Sequence, residues 1–118
     1  MDKINSKAFL AATLFFVINI QVFANDKTEP VLIPILENAH VFADLTDNFP
    51  AVLNYFTSSS EAQIIQFYNQ NFGDMISQES KRDRLTLHYQ KGEQWIRVVI
   101  SQQNTKRQVD IIVMKTDE

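Results

Sequence analysis

Two histidines, His40 and His88, are the only imidazoles in the chain, which carries no cysteine and only two glycines among its 118 residues. A zinc site would need both histidines to meet a carboxylate such as Asp44 or Asp110. No HExxH or other tight ligand spacing brings them together, so no metal site is expected. Without cysteine there are no disulfides, thiolate zinc sites, iron–sulfur clusters, thiol nucleophiles or lipid-bearing cysteine. With glycine only at Gly73 and Gly92, neither a dinucleotide fingerprint nor a phosphate-cradling loop can form, because both need clustered residues without a Cβ. Ser58, Ser59 and Ser60 are accounted for by helix capping, and no serine sits in a glycine-flanked elbow. The carboxylates Glu37, Asp44, Asp47 and Glu61 are scattered, and nothing selects a catalytic pair from them. No catalytic residue and no cofactor are expected.

The elements that must position any site follow from periodicity. Pro30, Pro34 and Pro50 make Asn25 to Phe49 a largely extended, irregular arm with one short strand near His40 to Leu45. The arm is nonetheless rich in Val31, Leu32, Ile33, Ile35, Leu36, Val41, Phe42 and Leu45, so it is expected to cover part of the domain. Ala51 to Thr57, rich in β-branched and aromatic residues, reads as a strand. Ser58 and Glu61 match a capping box, and Ile64, Ile65, Tyr68 and Phe72 form one apolar stripe, which predicts a helix over Ser59 to Phe72 closed by Gly73. Tyr55, Phe56, Phe67 and Tyr68 fall at core spacing.

From Met75 onward the period is two. A turn at Lys91-Gly92 pairs Gln90 with Glu93, Leu87 with Ile96 and Leu85 with Val98. A turn at Asn104-Thr105 sets Ile100 opposite Val109, Val98 opposite Ile111 and Ile96 opposite Val113. Both hairpins give the middle strand the same buried face. The expected fold is therefore α+β, with one helix packed on a mostly antiparallel sheet made of one or two strands before the helix and a three-stranded meander after it.

The same register defines a second sheet face of three rows: Arg84, Val99 and Asp110; Thr86, Arg97 and Ile112; His88, Trp95 and Met114. A solvent-facing sheet is usually more uniformly polar. Trp95, Arg97, Met114, Ile112, His88 and Asp110 are thus the candidate binding residues, since aromatic, arginine and methionine side chains combine large burial with directional contact. Two structural explanations compete with that reading. The arm from Val31 to Leu45 would cover this face, and Arg97 with Asp110, or His88 with Trp95, would be ordinary cross-strand pairs.

Residues 1 to 24 resemble a secretory signal peptide: Lys3 and Lys7 precede the apolar run Ala8 to Ile18, and Val22-Phe23-Ala24 suits a peptidase. That run is too short for a membrane span, which takes roughly 20 apolar residues. Cleavage after Ala24 would leave a single small domain, 25 to 118, in the bacterial periplasm or medium, and would change the net charge from −3 to −4. Within it, Asn25 to Glu79 is net −7 and Ser80 to Glu118 net +3. With no basic run longer than Lys81-Arg82, nucleic acid is not an expected partner.

Ile33-Pro34-Ile35-Leu36-Glu37-Asn38-Ala39, the serine-rich helix start and the Phe67-Tyr68 pair resemble small exported bacterial α+β domains of unknown function. Those domains often have Tyr and Gly where this chain has Leu36 and Asn38. The resemblance implies the fold and export, and carries over no functional residue. The expectation for function is a non-enzymatic envelope protein that binds a protein or a small ligand, with an inhibitor or immunity protein as one specific form. Two other readings are a small envelope hydrolase using His40 or His88 with a carboxylate, and a structural subunit of an envelope assembly.

Overall fold

The computed structural model describes residues 28–116, so the leader 1–24 lies outside the described residues. Six strands form one antiparallel sheet: β1 (His40–Leu45), β2 (Ala51–Thr57), β3 (Ser77–Lys81), β4 (Arg84–Lys91), β5 (Gln94–Gln103) and β6 (Lys106–Lys115). Their order across the sheet is β1-β2-β6-β5-β4-β3, with α1 (Glu61–Phe72), the one helix among the described residues, inserted in sequence between β2 and β3. The expected α+β arrangement of a helix with a three-stranded meander is overturned. The fold is dominated by β structure, 52% strand against 13% helix, and its meander has four strands.

The extra strand is β3. Its sequence Ser77-Gln78-Glu79-Ser80-Lys81 is exposed throughout and shows no apolar alternation, so nothing in its period announces a strand. It forms because Arg82-Asp83 turn the chain back and β4 supplies a partner, with Lys81 opposite Arg84 and Ser77 opposite His88. Arg82 takes φ 57 in that turn, a position without the glycine that would have marked it.

The β5–β6 pairing is as read from the sequence: Gln103 faces Lys106, Val98 faces Ile111 and Ile96 faces Val113. The β4–β5 pairing differs by two residues. Lys91 pairs with Gln94 across a Gly92-Glu93 turn, which places Leu87 opposite Val98, not Ile96, and Leu85 opposite Ile100, not Val98. Gly92, at φ 62, takes the first central turn position, where a Cβ is disfavoured. A slip of two keeps every apolar side chain on its own face, so the apolar pattern could not distinguish the two registers.

Leu85, Leu87, Tyr89, Ile96, Val98, Ile100, Val109, Ile111 and Val113 form the buried face, joined by Ala51, Leu53 and Tyr55 from β2. Onto it pack Ile64, Tyr68 and Phe72 of α1. The helix cap is two residues later than expected. Ser60 Oγ accepts from the Gln63 amide at 3.1 Å, and Gln63 Oε1 accepts from the Ser60 amide at 2.8 Å. Thr57 is still in β2, paired with Arg107, so Ser58 and Ser59 make the turn out of the sheet and cannot begin the helix. Gly73 closes the helix at φ 95, its amide donating to the Asn69 carbonyl at 3.0 Å.

One short helix cannot cover the core face of six strands. The arm supplies the rest: Val31, Ile33, Leu36 and Ala39 pack against the same core. Gln94, buried at the start of β5, accepts from the Val31 amide at 2.8 Å and donates to the Glu29 carbonyl at 3.0 Å. Its carboxamide thus satisfies the arm backbone as a neighbouring strand would. The Tyr68 hydroxyl donates to the Pro34 carbonyl at 2.8 Å. Residues 28–39 therefore lie on the helix side, and the expectation that the arm covers the second sheet face is overturned.

Candidate functional site

With the arm on the helix side, the second face of the sheet is open. Its rows, read across from β1 to β3, are Leu45–Val52–Ile112–Arg97–His88–Ser77 and Ala43–Asn54–Asp110–Val99–Thr86–Glu79. A third row runs Phe56–Gln108–Ser101–Arg84–Lys81, and Met114–Trp95–Gln90 lies at the opposite end. The β1–β2 side is apolar. A bulge between Val41 and Ala43 turns Phe42 onto this face, where its ring lies 4.8 Å from that of Phe56, and Leu45 is 67% exposed. Phe56, expected in the core, belongs to this outer strip. The β3–β5 side is polar and cationic.

A cleft of about 370 Å³ opens on the cationic side, lined by Glu79, Arg84, Thr86, His88, Trp95, Arg97, Val99 and Met114. Of the residues singled out from sequence, Trp95, Arg97, His88 and Met114 meet there. Ile112 stands beside it, directly across from Arg97. Asp110 is elsewhere engaged: its carboxylate accepts from Asn54 Nδ2 at 2.6 Å and from Gln108 Nε2 at 3.0 and 3.1 Å. Those amides, not Arg97, satisfy it. His88 faces Arg97 and Gln90 faces Trp95, so the direct His88–Trp95 pair expected from the shorter register does not form.

Glu79 and Arg84 were missed as site residues. Glu79 belongs to the unannounced strand, and the two-residue slip of β4 moves Arg84 one row outward, beside Lys81 and Ser101. A second depression of about 550 Å³ adjoins the first at Arg84 and is lined entirely by polar residues, Lys81, Arg82, Asp83, Arg84, Ser101, Gln102 and Gln103.

Basic residues are unevenly distributed along the chain. From Thr28 to Ser80 there is no lysine or arginine, so the arm and helix layer carries Glu29, Glu37, Glu61 and Asp74 without a basic side chain. The open face carries Arg84, Arg97 and Lys81 together with Glu79 and Asp110, while on the helix side Arg107 of β6 donates to the Ser59 carbonyl and Lys115 lies over the Phe49 ring. A cationic cleft on a net acidic protein concentrates an anionic partner at that face.

His40 lies on β1 and His88 on β4, four strand steps apart, or about 19 Å at the usual strand spacing, so they cannot share a metal ion. Among the described residues no three His, Asp or Glu side chains cluster as metal ligands, and no helix is long and apolar enough to cross a membrane. No protein-family model matches the chain, and no curated protein matches it at a significant level.

Proposed function

We propose that this protein is a non-enzymatic binding module of the bacterial cell envelope, and that its open sheet face captures a partner presenting an anionic group beside an apolar or planar one. The reading rests on one observation: an uncovered sheet face holds a cleft in which Arg97 and His88 stand next to Trp95 and Met114, with Arg84 at its far end. A sheet face left to water has no need of such side chains, whereas binding surfaces are enriched in tryptophan, arginine and methionine. The signal-like leader supports a position outside the cytoplasm, and the arm and helix, whose own residues include Glu29, Glu37 and Glu61 and no basic side chain, favour the open face for an anionic partner.

The double substitution Trp95→Ala with Arg97→Ala tests the site. Affinity capture from an envelope extract, compared between wild type and variant, is expected to lose its specific partner while the circular dichroism spectrum is unchanged. Undiminished capture by a folded double variant overturns the assignment of the face.

A further inference from the structure

The cleft and the polar depression meet at Arg84 and form one track. It begins at Trp95, passes Arg97 and His88, then Val99, Thr86 and Glu79, and reaches Arg84, Ser101 and Lys81 before ending at Arg82, Gln102 and Gln103. From Trp95 to Ser101 along β5 this covers about 20 Å. Building on the reading of the open face as the binding surface, we infer that its occupant is a linear anionic polysaccharide whose acidic groups are carboxylates, lying along this track.

Three features select that chemistry. Trp95 is 38% exposed at the head of the track, offering a flat aromatic surface and not a deep pocket. Such a surface suits the apolar face of a sugar ring. Arg97 and Arg84, two rows apart on the face, offer planar forks that match carboxylates. The far depression contains no apolar side chain at all, only cations, one aspartate, a serine and two glutamine amides. Amides and hydroxyls both donate and accept, as sugar hydroxyls do, whereas an acidic peptide would look for apolar pockets to anchor its side chains. Glu79, midway along, accepts from hydroxyls and repels anionic groups, so the carboxylates of the chain are directed to the two arginines.

Trp95 is the only tryptophan, so its emission reports the track directly. The full mature chain is titrated with a short oligogalacturonate, with polyglutamate of matched charge and with neutral dextran, at low and at physiological salt. Oligogalacturonate is expected to shift Trp95 emission and to bind more tightly than either control. Arg97→Ala and Arg84→Ala are each expected to weaken it roughly tenfold. In Trp95→Phe, followed by calorimetry, binding is expected to persist in weakened form, because an aromatic surface remains. No emission change and no binding with oligogalacturonate overturns the inference. So does equal binding of polyglutamate that is insensitive to Trp95→Ala, which would show only general attraction of polyanions. If oligogalacturonate fails while the Trp95 and Arg97 double variant still loses its captured partner, the open face remains the binding surface and the polysaccharide is the wrong occupant. If the double variant also captures normally, both readings fall.

Discussion

Tyr68 joins three parts of the molecule through one hydroxyl. That hydroxyl donates to the Pro34 carbonyl at 2.8 Å, so at 2.7 Å from the Tyr55 hydroxyl it must be the acceptor. Tyr89 donates to Asn69 Oδ1 at 2.7 Å. Burial pushes Tyr55 and Tyr89 up to about 12 and raises Tyr68 as well, since the phenolate would lose its hydration. Below pH about 10 these phenols are neutral in both folded and unfolded chains, and their contribution to stability is intact. As pH rises from about 10 through about 12, the unfolded chain ionises first and stability is lost. The urea midpoint is therefore expected to be level near neutrality and to fall steeply above about pH 10, and a flat profile to pH 11 would contradict the buried network. At neutral pH, Tyr68→Phe is expected to cost about 1–3 kcal/mol, because it leaves the Pro34 carbonyl and the Tyr55 hydroxyl short of a partner.

Among the elements, the helix shows how a correct motif can be placed at the wrong residue. Ser58-x-x-Glu61 and Ser60-x-x-Gln63 are both capping boxes in sequence, and only the end of β2 at Thr57 chooses between them. Ser60→Ala is expected to lower stability by about 1 kcal/mol. Ser58→Ala, which removes only an exposed bond from Asn38 Nδ2 at 3.1 Å, is expected to stay within about 0.5 kcal/mol. Denaturant unfolding of the two variants measures the difference, and the reverse order would refute the observed cap. The sheet edges follow physical rules of their own. β1 is bulged between Val41 and Ala43, and β3 is short and wholly polar with Glu79 and Lys81. Both features discourage another strand from adding at those edges, and so leave the sheet face as the surface for recognition.

At the scale of the whole molecule, the position of the arm decides which face is free. The arm packs on the helix side because α1 presents only Ile64, Tyr68 and Phe72 as buried residues to the core face of a wide sheet. Val31, Ile33 and Leu36 of the arm pack against the same core. The Gln94 clasp holds the arm there, so Gln94→Ala is expected to speed amide exchange at Val31 and to open residues 28–39 to protease while β5 and β6 stay protected. Exchange at Val31 as slow as in the wild type would show that packing alone retains the arm.

The helix, strands β1 and β2 and the two faces of the β4–β6 meander were legible in the residues. Periods of 3.6 and 2 are local properties of the backbone, and each side chain inherits its face from them. Trp95, Arg97, His88 and Met114 were legible as outward residues for the same reason. The tertiary structure alone decided the remaining features. A polar strand such as β3 has no period to read and exists only beside β4. A register slip of two leaves the apolar pattern unchanged, so only the turn at Gly92-Glu93 selects it and brings His88 opposite Arg97. The side on which the arm lies depends on the core area left uncovered by α1, a quantity defined only once the sheet is assembled, and it is this that leaves the cleft between Trp95 and Arg84 open.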